Sequence, residues 1–383
     1  MMDPIIIIGT GLAGYNLGKE FRKLDTTTPL LFITNDDGGF YSKPMLSNAL
    51  AKEKKPNELV NFDAEKMASD LNAEIMTFTS VDGIDPSSHS VSTSQGDSLS
   101  YSKLVLATGA RVVEPPLVGD GVELIYTVNS LQDYTKFRES LSFVQHVAII
   151  GSGLIGCEFA NDLLSAEYKV SIIGPDNLPL GRLLPPEAGS FMKERLASAG
   201  VDWHLGKTCT VVNKIGNKFE LELTGDEILK ADIVLSAIGL KPDTSLAEAA
   251  GLKVNRGIVV DRKLQASHPD IYALGDCAEV EGQVFLYVMP LMQGARALAK
   301  TLAGEVTDVT YPAMPTLVKT PLCPCTVAPP PAGSDGEWQI EQTDDGVKAL
   351  FIDKDGSLLG YALLGEAVSE KMALTKQLPV VMA

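Results

Sequence analysis

Glycine recurs twice at GxGxxG spacing, as Gly9, Gly11 and Gly14 in IIIIGTGLAGYNLG and as Gly151, Gly153 and Gly156 in VAIIGSGLIGCEFAND. That spacing suits the holding of a pyrophosphate. The first glycine makes a tight turn, the second lets the backbone approach the phosphates, and the third lets a helix sit close on its strand. Amides at the helix start then face the negative charge. Leu12 and Ala13 in the first turn and Ile155 in the second are counted with the glycines as binding residues. A ribose-binding group is expected roughly 20 residues further on. Asn35 and Asp36 stand there in the first copy, and Asp176 follows Gly174-Pro175 in the second. No arginine directly follows that second strand to hold a 2′-phosphate, which favours NADH over NADPH.

Each triad needs a strand before it and a helix after it. Ile5–Ile8 is an unbroken β-branched run, apolar enough for a strand buried on both faces. Tyr15–Leu24 reads as a helix, with Leu17, Phe21 and Leu24 apolar, and Leu30–Thr34 as the next strand. The second copy repeats the plan with strand Val147–Ile150, helix Cys157–Ala166 and strand Val170–Ile173. Leu104–Leu106 runs into Ala107-Thr108-Gly109, and IVLSAIGLKPD (233–243) repeats that pattern. Ile271–Leu274 then delivers Gly275-Asp276 to the carboxyl end of a sheet, where ligands of open α/β folds collect. Asp276 there is suited to accept hydrogen bonds from a ribitol hydroxyl; read alone, it is a turn residue. The fold class is α/β, with two Rossmann-like dinucleotide-binding units. Two such units imply two different dinucleotides, a resident flavin and a visiting nicotinamide.

The ordered set GxGxxG, YSKPMLS, ATG, a second GxGxxGxE, AIGLKPD and YALGD resembles the two-dinucleotide flavoprotein reductases of the glutathione-reductase-like superfamily. Within it, YSKPMLSNAL, GLIGCEFANDL and YVMPLMQGARALAKTL look most like the bacterial rubredoxin–NAD reductases. The resemblance implies an FAD domain from about 1–112 and 240–317, an NAD domain at about 113–239, and a small C-terminal α/β domain at about 318–383. Glu114-Pro115-Pro116 separates the two dinucleotide units, and Lys241-Pro242 marks the return.

The resemblance also assigns charges. Lys43 reaches toward the flavin, and Glu158, on the first turn of the second glycine helix, lies near the nicotinamide and pairs with that lysine. A cation steadies negative charge on the reduced ring, and a carboxylate keeps the cation placed. The plainer readings are a surface lysine and a glutamate favoured by a helix N-terminus. Because Lys43 precedes Pro44, its backbone is expected to be extended. Val288-Met289-Pro290 opens another helix, whose free amides would face the flavin pyrimidine. Lys319 in TLVKTP and Val81 are further flavin contacts that the resemblance implies.

No CxxxxC stands in YSKPMLSNALAKEKK, where a disulfide reductase of this architecture carries one. Cys323-Pro324-Cys325 is either a redox pair or two loop cysteines. His89, His146, His204 and His268 are isolated, and no cysteine–histidine cluster has metal-ligand spacing. Electrons must therefore leave directly from the flavin. The implied activity is NADH to FAD to rubredoxin, feeding an alkane hydroxylase. The alternatives are the ferredoxin reductase of an aromatic-ring dioxygenase and a flavin redox sensor that does not turn over.

A net charge of −17, from 32 basic against 49 acidic side chains, argues against nucleic-acid and anionic-membrane partners. It also argues against easy docking of an acidic rubredoxin, unless Arg111, Lys43, Arg296, Lys300 and Lys319 make a local basic patch. No run reaches a membrane span and no signal peptide is read. Five scattered cysteines suit a reducing cytoplasm.

Overall fold

The computed structural model describes residues 2–383. Its first layer is a five-stranded parallel sheet in the spatial order Ile271–Ala273, Lys103–Leu106, Ile5–Ile8, Leu30–Ile33, Glu74–Met76. The central Ile5–Ile8 strand is buried throughout, because neighbouring strands and layers cover both its faces. Helices Leu12–Arg22 and Val288–Leu302 pack side by side on this unit. A three-stranded antiparallel meander, Val81–Asp85, Ser90–Thr93 and Ser98–Ser100, leads into strand Lys103–Leu106.

The second layer repeats the plan. Its parallel sheet runs Tyr126–Thr127, Ile233–Ser236, His146–Ile150, Lys169–Gly174, Val201–Leu205. One face packs in a core with Phe137, Phe159, Leu163 and Met192 from three helices. The other packs on a second meander, Cys209–Ile215, Lys218–Leu223 and Glu227–Ala231, through Val212, Leu221 and Leu229. Where the chain crosses between the two units, Ala110–Val112 pairs antiparallel with Leu240–Pro242, so exit and return lie side by side.

The C-terminal part is a five-stranded antiparallel sheet in the order Thr316–Val318, Cys325–Ala328, Leu358–Gly365, Gly346–Asp353, Gly336–Gln342. Val318, Cys323, Cys325 and Val327 share one buried cluster with the second unit's helices. No helix among the described residues is long and apolar enough to cross a membrane.

Candidate active site

The two glycine turns share one construction. Gly9 has φ +110 and Gly151 φ +123, the left-handed region open to glycine. A Cβ on Gly9 would lie 2.3 Å from the Ala107 carbonyl oxygen, and one on Gly151 2.4 Å from that of Ala237. A Cβ on Gly14 would lie 2.0 Å from the Gly9 oxygen, and one on Gly156 1.9 Å from the Gly151 oxygen. These four glycines are fixed by the protein's own packing. Gly11 and Gly153 differ, since a Cβ there meets nothing within 4 Å. Each is the N-cap of a helix, Leu12–Arg22 or Leu154–Ser165, with no side-chain cap on the first amides. Open space beside unmet donors at a helix start fits a bound phosphate. Leu12, Ala13 and Ile155 lie in those first turns, Ile155 exposed.

The strand ends behave differently in the two copies. Asn35 is exposed just past strand Leu30–Ile33 and makes no side-chain hydrogen bond among the described residues. Asp36 is already engaged, its Oδ1 accepting from Thr34 Oγ1 at 2.7 Å and from the Gly38 amide at 3.0 Å. Asp176 is exposed, and its carboxylate has no partner among the described residues. Gly174 has a packing reason, because a Cβ there would stand 2.1 Å from Ser152 Oγ. The position of the usual acid is thus filled by the glycine loop itself.

Gly275 has φ +78, and a Cβ on it would lie 2.8 Å from the Ala13 side chain and 3.9 Å from that of Leu291. It is wedged between the starts of helices Leu12–Arg22 and Val288–Leu302, which brings Asp276 to the joint of two N-termini. The second helix starts at Val288, as its sequence implies, without a side-chain cap or an acidic residue in its first turn. Tyr287, Val288 and Met289 are exposed at that start. Ala107, whose carbonyl packs on Gly9, and Gly109 lie in the loop after strand Lys103–Leu106, with Thr108 donating to the Asp243 carbonyl at 2.9 Å. Val81, half-buried, opens the first meander.

Lys43 lies on a 3-10 turn, Lys43–Asn48, and not on extended chain. The preference of a pre-proline residue for extended backbone is overridden at Lys43; the extended residue is the N-cap Ser42, and Pro44 sits near the turn's start, where its missing N–H is not needed. Lys43 Nζ donates to Asn129 Oδ1 at 3.1 Å, and Asn129 Nδ2 donates to the Ala110 carbonyl at 2.8 Å. Burial lowers the pKa of the Lys43 ammonium, opposed first by the field of Asp276. Burial raises the pKa of the Asp276 carboxyl, opposed by Lys43. The two are electrostatic partners across the site.

The expected pairing of Lys43 with Glu158 is therefore corrected. Glu158 is fully buried, and its cation is Lys319, whose ammonium pairs with Oε2 and whose backbone amide donates to Oε1 at 2.9 Å. Ser47 Oγ donates to the same Oε2 at 2.6 Å. The carboxylate is held by the 3-10 turn on one side and the C-terminal segment on the other, while the Lys43 ammonium bonds Asn129 instead. Lys319, expected at the flavin, is tied back to this helix.

Sequence reasoning missed the rest of that helix face. Asp162 accepts from the amides of Leu50 at 3.0 Å and Ala51 at 2.8 Å, and Asn161 Oδ1 accepts from Leu322 N at 3.0 Å. Glu158, Asn161 and Asp162 are all buried and spaced i, i+3, i+4, so one helix face binds two other parts of the chain. The signal was polar residues at helical spacing in an otherwise apolar CEFANDLL. Asn129 carried no such signal.

All five cysteines are free and buried. Burial pushes the Cys323 thiol up to about 12 and that of Cys325 higher still, so neither is a ready thiolate. The supposed basic patch is mostly spoken for. Arg111 pairs with Asp243 at 3.2 Å, Lys300 with Glu305 at 3.3 Å and Lys319 with Glu158.

Residues 3–299 match the family model described as pyridine nucleotide-disulphide oxidoreductase. The chain belongs to that family. Residues 308–378 of this oxidoreductase match a second model, described as a rubredoxin binding C-terminal domain. It is 52% identical over 382 residues to a rubredoxin-NAD(+) reductase of Alcanivorax borkumensis, covering 100% of each chain. It is 46% identical to a rubredoxin-NAD(+) reductase of Acinetobacter baylyi, covering 99% of this chain and 98% of that one. Among solved structures, the putidaredoxin reductase–putidaredoxin complex gives a TM-score of 0.88 at 25% identity, covering 98% of this chain and 94% of that one. The resemblance read from the motifs thus holds from end to end.

Proposed function

We propose that this oxidoreductase passes electrons from NADH through bound FAD to rubredoxin. The observation that carries this reading is the pair of open glycine cradles, joined through the Glu158–Lys319 pair to a C-terminal segment of rubredoxin-binding type. Residues 1–112 and 240–317 would hold FAD, 113–239 NADH, and 318–383 would close the site and meet the partner. When bound, FAD supplies a ring that takes two electrons together from NADH and yields them singly to an iron carrier.

The chain's own residues supply position and charge. Gly9, Gly11 and Gly14, with the amides of Leu12 and Ala13, hold one pyrophosphate; Gly151, Gly153 and Gly156, with Ile155, hold the other. Asn35, open at its strand end, is the better-placed ribose contact in the first unit, since Asp36 is engaged in its own turn. Asp176 serves the second unit and Asp276 a ribitol hydroxyl, while Val81, Ala107 and Gly109 line the first. The Val288 helix start offers free amides to negative charge on the ring edge. Lys43, held by Asn129, adds positive charge nearby, and Glu158 anchors Lys319 at the junction.

Free buried thiols suit a reducing cytoplasm, and an alkane hydroxylase is the consumer the resemblance implies. The test is spectral and kinetic. Purified protein is expected to be yellow, to bleach with NADH, and to reduce rubredoxin faster than an iron–sulfur ferredoxin. Colourless protein that releases no flavin on boiling overturns the reading. Faster ferredoxin reduction overturns the partner, and bleaching without transfer to any carrier favours a sensor.

A further inference from the structure

The NADH site is bordered by a lysine that would suit NADPH, and the structure shows what neutralises it. Lys207 N donates to the Gly174 carbonyl at 3.0 Å, and Gly206 N to the Asp176 carbonyl at 2.9 Å. Lys207 therefore stands against the end of strand Lys169–Gly174, where the adenine ribose of a dinucleotide is read. No lysine occurs directly after that strand in sequence; folding brings this one in from the loop after strand Val201–Leu205. Its ammonium does not point to an empty site. It pairs with Glu227 Oε2, at the start of strand Glu227–Ala231, while Glu227 Oε1 bonds His204 Nδ1. His204 Nε2 in turn bonds Asp202 Oδ2 at 3.1 Å, which fixes the imidazole between two carboxylates.

We propose that Glu227 is a specificity-determining residue: by holding Lys207, it denies a 2′-phosphate its cation and keeps the site selective for NADH. The inference rests on the reading that the second glycine turn binds the nicotinamide coenzyme. Asp176, exposed and without a partner among the described residues, suits a ribose hydroxyl and repels a phosphate. The backbone beside Arg182 lies close to the same strand end, with the Gly181 Cβ position 3.3 Å from the Asp176 Cβ, but no ion pair among the described residues joins Arg182 to Asp176. A Lys207 released from Glu227 would add an unpaired cation at this strand end, which favours a dianion.

The experiment uses the flavin-loaded full chain, with ADP-ribose and 2′-phospho-ADP-ribose as probes in calorimetry and NADH and NADPH in stopped flow. E227Q keeps the size of the side chain and removes its charge. It is expected to tighten 2′-phospho-ADP-ribose about tenfold, to change ADP-ribose affinity less than about twofold, and to raise the NADPH-to-NADH rate ratio correspondingly. The double variant E227Q/K207M abolishes the gain. An unchanged probe ratio in E227Q, or a gain that survives K207M, overturns the proposal. Should E227Q lose its flavin, K207M alone carries the test. It leaves both affinities within about twofold, and a loss of 2′-phospho-ADP-ribose binding would show Lys207 already engaged and sink the idea. Wild-type protein that binds neither probe overturns the coenzyme site itself, an outcome distinct from normal ADP-ribose binding with no response to E227Q.

Discussion

Gly153→Ala separates what the fold needs from what the ligand needs. Gly153 has φ −80 and ψ −169, extended backbone that alanine adopts freely, and its Cβ would meet no protein atom within 4 Å. As an N-cap change it costs under about 1 kcal/mol. The same methyl would stand where a pyrophosphate must approach the amides. Loss of one amide–phosphate hydrogen bond costs about 1.5–3 kcal/mol, which is roughly a 10- to 150-fold weaker affinity. Gly156→Ala is the contrast, with its Cβ 1.9 Å from the Gly151 oxygen. The turn must shift by about 1 Å or more, at a cost of about 1–3 kcal/mol in stability. The assay is stopped-flow bleaching against NADH concentration, with flavin content and Tm measured on the same preparations. G153A should keep its flavin and Tm and lose NADH affinity; G156A should lose Tm. A G153A protein with wild-type NADH affinity would show that no pyrophosphate lies over Gly153.

Glu158→Gln keeps the Ser47 hydrogen bond but leaves Lys319 without its counter-charge. Flavin reduction by NADH is expected to slow about tenfold, and an unchanged rate would remove Glu158 from the mechanism. Unfolding free energy should also fall, seen as a lower Tm, by less than the roughly 3–5 kcal/mol of a fully buried broken pair, because Lys319 keeps partial access to water. Cys323→Ala and Cys325→Ala should pass electrons at wild-type rates within about twofold, since both thiols are buried and protonated; a specific loss of acceptor reduction would revive the redox-pair reading. Burial lowers the His146 pKa below its ordinary value, so the unfolded chain binds this proton more readily. Stability from neutral His146 is present above the ordinary histidine pKa and is lost as pH falls from there through the lowered folded-state pKa. Urea titrations from pH 7 to pH 5 should show a shallower decline for His146→Gln than for wild type, and parallel declines would contradict this.

The local sequence settled what local physics controls. Strand Ile5–Ile8, the two glycine turns and the helix beginning at Val288 were legible because β-branched runs, tight turns and proline positions act within a few residues. The duplicated plan was legible for the same reason. The two meanders were not read, because their strands are short and half-exposed and carry little periodic signal.

Only the tertiary structure decided which charges meet. Glu158 and Lys319 are 161 residues apart, and Lys43 and Asn129 are 86 apart. Nothing in either neighbourhood states that the carboxylate belongs to the C-terminal segment and the Lys43 ammonium to a neutral amide and the field of Asp276. Lys207 makes the same point beside Gly174 and Glu227. An ion pair forms wherever packing of apolar surfaces brings two charges together. That packing belongs to the whole chain, whereas a glycine's freedom to turn is a property of the residue itself.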